Sequence, residues 1–518
     1  MASLRLLPRR ALRYEPRLAG RRPPTSLRHA STSSSAASSG LFTLRSGIYA
    51  SVFVLSAGLF VAYYVDSRAA MHRYVVMPVL RTLLDAEASH KLALRALASG
   101  LAPRDTQTDD DRLRTSLWGG ELSSPVGIAA GFDKDGEAVD GLFNLGFSWV
   151  EIGSVTPRPQ PGNPKPRVFR LPSDEAIINR YGFPSDGHTA VLARLRARIP
   201  LFHDPESATV PHASLRPDAL LAVNLGKNKA SPADSIDDFV HGVHTFGPYA
   251  DVLVINVSSP NTPGLRSLQT RALLERLLDG VSRARDELLV PSDPSGAATS
   301  TLLSKPKLVL KIAPDLDESE LMAIAAVVRS SGVDGVIVSN TTVRRPKNLS
   351  DPNKLEAGGL SGPPLKPYTL ATLRTLRALL PESVSLIGCG GIASGEDALD
   401  YARAGAAAVQ VYTRFAYEGV GTCRRIKDEI TEALAREGTT WAAVVQRAVG
   451  ERSLRESAVG GARSPGAPEE GVEQLKREAE ELMRLADELG MRMDAAPAAQ
   501  AQEVGADDGA KAALPSMS

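Results

Sequence analysis

The sequence predicts an α/β protein, a (β/α)8 TIM barrel preceded by a transmembrane helix and a short amphipathic helical pair. Three observations predict it. Eight short apolar runs recur between residues 125 and 413 with helix-length stretches between them, the pattern of parallel strands buried on both faces. The C-terminal end of every run turns polar or glycine-rich, as the rim of such a barrel does. Residues 47–65 then supply 19 consecutive uncharged positions near the start of the chain. A doubly wound open sheet is the competing parallel architecture, but it carries fewer strands and an early glycine fingerprint that this chain lacks.

The first 40 residues hold eight arginines, no lysine and a single acid, Glu15, and close with "HASTSSSAASSG". That composition reads as a mitochondrial transit peptide, against the alternative of a disordered basic tail. "GIYASVFVLSAGLFVAYYV" (47–65) follows, flanked by Arg45 and Asp66, with Tyr49, Tyr63 and Tyr64 near its ends. At about 1.5 Å per residue it matches the roughly 30 Å hydrocarbon core of a bilayer, and interfacial tyrosines suit that placement. Residues 71–104 read as two short amphipathic helices broken around Asp85, lying on the membrane or packed on the main domain.

The eight runs are "PVGIAAGF" (125–132), "WVEIGSV" (149–155), "LLAVNLG" (220–226), "VLVINVS" (252–258), "KLVLKIA" (307–313), "GVIVSNT" (335–341), "SLIGCGG" (385–391) and "AVQVYT" (408–413). Their ends supply Lys134, Ser154, Asn224, Asn256 with Ser259, Lys311, Asn340 with Thr341, Gly390 with Gly391, and Tyr412 with Thr413. One polar strand end could be a turn; eight make a ring. The glycine turn after the seventh run, with Ser394 as a helix N-cap, suits an anion such as a cofactor phosphate.

Net charge of +1 over 518 residues gives no reason to expect a nucleic-acid partner. Two cysteines, Cys389 and Cys423, argue against a disulfide framework or zinc cluster. The ring contains no histidine and no carboxylate cluster, so no metal is expected. Its lysines stay open to several readings. Lys311 is a salt-bridged structural residue, a Schiff-base nucleophile or a cation beside a reduced cofactor; Lys134 binds an anion or pairs with Asp133 or Asp135. Hydroxyls, amides and two lysines without a metal point to an anionic substrate and an organic cofactor.

From Ser116 to Gly450 the chain resembles membrane-bound (class 2) dihydroorotate dehydrogenase, the quinone-dependent enzyme of pyrimidine synthesis. The resemblance is carried by "GIAAGFDKDGEAVDGL", "VEIGSVTPRPQPGNPKPRVFRL", "INRYGF", "VNLGKNK", "INVSSPNTPGLRSLQ", "KIAPDL", "VSNTTV", "GGLSGPPL", "IGCGGIASGEDAL" and "VQVYT". It implies FMN as cofactor, dihydroorotate and orotate as substrate and product, ubiquinone as acceptor, and attachment to membrane lipid. It implies a single-pass protein of the mitochondrial inner membrane with the barrel facing the intermembrane space.

By the same resemblance, FMN would be held by Ala130, Gly131, Phe132, Asp133, Lys134, Ser154, Asn224, Asn256, Lys311, Ser339, Gly362, Gly391, Tyr412 and Thr413, with Lys311 at the edge where charge develops on reduction. Dihydroorotate would meet Lys134, the stretch Asn179, Arg180, Tyr181, Gly182 and Phe183, and Asn256, Asn261, Asn340 and Thr341. Ser259 would be the base that removes the C5 proton, where the soluble class uses cysteine. Residues 71–104 would cap a quinone tunnel with His90, Arg170 and Tyr412 at its polar end. Two stretches fall outside the resemblance: a loop over 290–307, and a tail over 463–518 with one amphipathic helix (472–489) that docks on its own barrel or pairs with a partner helix.

Overall fold

The structure is a computed structural model and describes residues 36–202, 212–288 and 305–460. The arginine-rich start, most of the 290–307 loop and the tail helix at 472–489 lie outside the described residues. The chain divides after Tyr63 into two units. In the first, helix α1 (Ala36–Val65) begins upstream of the predicted span. Its segment Arg45–Val65 is, among the described residues, the one helix long and apolar enough to cross a membrane.

The second unit opens on a π-helical turn, His72–Val76, then helices α2 (Met77–Leu83) and α3 (Ala86–Ala98). The break falls at Asp85, whose carboxylate accepts the backbone N–H groups of Glu87 and Ala88 at 2.9 and 3.0 Å and so caps α3. Of the two placements left open for this pair, packing on the main domain describes its inner face. Leu94 and Leu97 are buried, while Tyr74, Val75, Val79, Leu83 and Leu92 stay exposed. The inner face packs closely on helix α4 (Val139–Asn144): a Cβ on Gly141 would stand 2.5 Å from the Leu97 carbonyl oxygen.

Eight parallel strands close a barrel: β1 (Val126–Ile128), β2 (Trp149–Val155), β3 (Leu220–Leu225), β4 (Val252–Asn256), β5 (Lys307–Ile312), β6 (Gly335–Val338), β7 (Ser385–Cys389) and β8 (Ala406–Val411). Each pairs with its sequence neighbours, and β8 pairs with β1. Strand β6 ends three residues before the apolar run suggested, so Asn340 and Thr341 stand on a loop. Helices including His188–Phe202, Arg271–Asp286, Glu318–Ser331 and Thr422–Glu437 cover the outside. Ser394 caps Gly395–Arg403 as the sequence predicts, accepting from Asp397 N–H at 3.1 Å.

Side-chain alternation sorts the barrel interior into two levels. Trp149, Ala222, Val254, Val309, Ile337, Ile387 and Ala408 share an apolar cluster with Leu117 and Leu122 of the hairpin Thr115–Leu117/Gly120–Leu122, which plugs the N-terminal end. Two residues further along the same seven strands come Glu151, Asn224, Asn256, Lys311, Ser339, Cys389 and Gln410. The strands are thus hydrophobic below and polar above on one inward face. A further antiparallel sheet, which the count of eight apolar runs does not include, joins Val168–Leu171, Ala176–Asn179 and Gly359–Ser361. Its strands are short and come from two distant connections, so each segment reads as loop in isolation.

Candidate active site

A cavity of about 350 Å³ opens over the polar level of the barrel and runs on between α2 and α3. That size suits a small organic ligand. At its floor Lys311 Nζ lies 3.3 Å from Glu151 Oε1, both groups buried. Lys311 therefore has a carboxylate partner, on a residue the strand-end reading passes over. Burial would depress the lysine's pKa, but the Glu151 charge outweighs it and holds the ammonium above its ordinary value. Asn224 Nδ2 donates to Glu151 Oε1 at 2.8 Å and Gln410 Nε2 donates to Oε2.

Above the pair lies an amide and hydroxyl network. Ser154 Oγ donates to Asn224 Oδ1, and Asn256 Nδ2 donates to Ser154 Oγ at 2.9 Å. Asn340 Nδ2 donates to Ser258 Oγ at 3.0 Å, and Ser258 Oγ in turn donates to Asn256 Oδ1 at 3.0 Å. These bonds link the ends of β2, β3, β4 and β6, so each amide is oriented by a neighbouring strand. Ser259, 5% exposed, accepts Asn261 N–H at 3.3 Å and lines the cavity. Its hydroxyl donates to no protein atom among the described residues, and nearby Thr262 Oγ1 is buried without a partner.

Lys134 lies apart from the Glu151 pair. Its Nζ donates to the Gly131 carbonyl at 2.5 Å and stands 4.2 Å from the Tyr181 ring centroid. Among the described residues no carboxylate is within ion-pair distance of it. Asp133 is engaged elsewhere, accepting Glu137 and Ala138 N–H at 2.9 and 2.8 Å, and Asp135 accepts Asp186 N–H. The pairing alternative for Lys134 thus fails: both carboxylates are turned to backbone donors. Burial pushes the Lys134 pKa down to about 8. Lys134 thus presents a half-buried ammonium to the cavity with no carboxylate partner, an arrangement that can hold an anion.

The remaining wall divides by element. Gly390 and Gly391 have φ of 140° and 70°, and a Cβ on Gly391 would stand 2.6 Å from the Lys366 side chain. Only glycine lets this backbone face the cavity. Beside it Thr413 Oγ1 donates to Ser361 Oγ at 2.9 Å, and Gly362 and Ser339 complete that edge. Ala130, Gly131 and Phe132 line the side below α3, and Asn179, Tyr181, Gly182, Phe183, Asn261 and Thr341 the side of the antiparallel sheet.

Three residues named from the sequence do not line the cavity. Asp133 accepts the Glu137 and Ala138 N–H groups ahead of α4, Asn224 sits behind Ser154, and Arg180 turns outward to Glu356 at 2.6 Å. Conversely, Glu151 and Gln410 lie outside the sequence-derived set, although a carboxylate in "WVEIGSV" and an amide in "AVQVYT" interrupt otherwise apolar strands.

Between the helices the wall becomes apolar around Leu80, Ala93 and Leu97. His90, Arg170 and Tyr412 also line the cavity. His90 Nε2 donates to the Phe132 carbonyl at 2.7 Å, and burial, with Lys134 nearby, pushes its pKa to about 3, so it is neutral. Arg170 donates to Leu84 O at 2.9 Å and Ser89 Oγ at 2.6 Å, which ties it to the α2–α3 corner. The Tyr412 hydroxyl reaches only to Gly131 O at 3.5 Å, and burial raises its pKa.

A model of the family described as dihydroorotate dehydrogenase matches residues 112–434. The chain is 49% identical over 392 residues to the dihydroorotate dehydrogenase (quinone), mitochondrial, of Kluyveromyces lactis, covering 74% of this chain and 87% of that protein. It is 47% identical over 391 residues to the Mus musculus protein of the same name, covering 75% and 93%. Among solved structures, that of the ligand-free DHODH from Eimeria tenella is similar with a TM-score of 0.65 and 41% identity, covering 71% of this chain and 99% of that one.

Proposed function

The chain belongs to the dihydroorotate dehydrogenase family, and from that premise we propose how its barrel carries the family's reaction. The protein is an oxidoreductase of pyrimidine biosynthesis that oxidises dihydroorotate to orotate with a quinone as acceptor. It is a mitochondrial, membrane-associated enzyme. The family is flavin-dependent; we take the flavin to be FMN. The observation that carries the reading is one cavity shared by a half-buried ammonium without a carboxylate partner, Lys134, a buried serine hydroxyl, Ser259, and a second, carboxylate-backed ammonium, Lys311.

The donor set fits FMN. Lys311 offers a cation for the ring edge, Ser154 and Asn256 offer polar atoms beside it, and the Gly390–Gly391 backbone with Thr413 offers N–H and hydroxyl donors for a phosphate. Held there, FMN would supply the hydride-accepting and electron-transferring chemistry between dihydroorotate and quinone. The chain does the rest. Lys134, with the amides of Asn179, Asn256, Asn261 and Asn340 and with Thr341, grips the dihydroorotate anion and fixes its orientation. Ser259 receives the C5 proton in a pocket that excludes bulk water, the setting a weakly basic hydroxyl needs. The apolar passage between α2 and α3, with Arg170, His90 and Tyr412 at its polar end, admits the ubiquinone head.

Helix α1 anchors the enzyme in the inner membrane behind a cleaved import signal, with the arginine-rich end in the matrix and the barrel in the intermembrane space, by the charge bias across the span. Purified protein should be yellow, release FMN on denaturation and reduce a ubiquinone analogue only when dihydroorotate is added. A colourless protein trapped by borohydride with a carbonyl substrate would instead make Lys311 a Schiff-base residue.

A further inference from the structure

Lys311 at 4% exposure cannot stay charged alone, because an uncompensated buried ammonium sheds its proton. The compensating charge comes from across the barrel. Glu151 on β2 is fully buried, does not line the cavity, and receives three donors: Lys311 from β5, Asn224 from β3 and Gln410 from β8. The pair is therefore asymmetric, its positive end on the cavity and its negative end behind. Gln410 is fixed by the same carboxylate. With its Nε2 committed to Glu151, its Oε1 is left buried without a protein partner on a residue that lines the cavity. The other titratable group facing Lys311 is Cys389, whose thiol burial keeps protonated. Glu151 is thus the charge to which the lysine responds.

We propose that Glu151 is a positioning residue for the redox step: it fixes Lys311 as a cation aimed at the flavin site and turns the Gln410 carbonyl oxygen toward the same site. The inference rests on the reading of Lys311 given above. A neutral pair with its positive end facing the cavity favours negative charge on the bound ring by a moderate amount that does not change with pH. A lone lysine would do so only while protonated.

The test is potentiometry and visible spectroscopy of the holoenzyme across pH. In Glu151→Gln the flavin's reduction potential should acquire a break between roughly pH 6 and 9, where the unpaired lysine titrates, and the flavin absorption band should shift over the same interval. Wild type should show neither. Glu151→Asp, which keeps the charge, should restore a profile without the break. If Lys311→Met leaves the potential unchanged, the Lys311 reading itself fails. If Lys311→Met moves the potential while Glu151→Gln keeps the wild-type profile, this inference alone is overturned. Should Glu151→Gln not fold, the double variant Glu151→Gln/Lys311→Met, free of buried charge, should fold and melt higher than the single. Equal failure of both would sink the pairing.

Discussion

Lys134 and Ser259 line the same cavity, and in the proposed reaction they act through different physics, so their substitutions should fail differently. Lys134 is held by a carbonyl and an aromatic face and not by a carboxylate, and burial brings its pKa to about 8. The folded, ligand-free protein therefore loses this proton well below the ordinary lysine range, and anion binding needs it back. We expect KM for dihydroorotate to be flat below pH 8 and to rise about tenfold per unit above it. Lys134→Met should raise KM at all pH and remove that dependence. A steady-state pH series on both proteins checks this. For Ser259→Ala, flavin reduction by dihydroorotate should slow by roughly 10²–10⁴-fold. Reoxidation by quinone, which involves no C5 proton, should stay near wild type in stopped flow. Equal slowing of both halves would show a general disturbance of the flavin site and remove the base assignment.

At the scale of elements, helix α3 lines the cavity beside the passage proposed for the quinone. Its Glu87 accepts from Arg167 at 2.9 and 3.1 Å, with Lys165 at 3.2 Å, and this ties α3 to the sheet that carries Asn179. Hydrogen bonding to Arg167 holds the Glu87 carboxyl down at about 2. Because the folded value is depressed, the stabilisation is complete above the ordinary carboxylate pKa near 4.5 and is lost as pH falls from there toward 2. Glu87→Gln should cost on the order of 2 kcal/mol at neutral pH and much less near pH 2, read by thermal melts. It should reduce quinone turnover more than turnover with a soluble dye, since the dye does not need the passage between α2 and α3. Equal loss with both acceptors would mean α3 serves the flavin and not the quinone.

Across the whole molecule, the division after Tyr63 leaves most of the apolar helix outside the unit that carries the cavity. The division also sets where to cut. Tyr64 O accepts from His72 at 2.9 Å, and Arg104 N–H donates to Val65 O at 2.8 Å, so residues 64–66 belong to the catalytic unit. A chain beginning at Tyr64 should stay soluble, keep its flavin and oxidise dihydroorotate with a dye at close to the full-length rate. The orientation is tested in mitoplasts, where the barrel should be cleaved by added protease. Full protection until detergent is added would place it in the matrix.

The linear order of the chain determined much of this protein by itself. Length and the absence of charge suffice to identify the span before Asp66, and Asp85 declares the break between α2 and α3 because an N-cap is a local device. The eight apolar runs indicate parallel strands buried on both faces, and it is their number and the polar or glycine-rich end of each that separate a closed barrel from an open sheet. What the residues could not declare alone was direction and partnership. Asp133, Arg180 and Asn224 stand beside site residues in sequence yet turn to the backbone N–H groups of Glu137 and Ala138, to Glu356 and to Ser154. Glu151 and Gln410 look like interruptions in strands until barrel closure brings β2, β5 and β8 around one interior. Whether Lys311 is paired and Lys134 unpaired depends on contacts between residues 160 positions apart and on carboxylates turned to nearby backbone, and only the closed fold decides which charges share the dry interior.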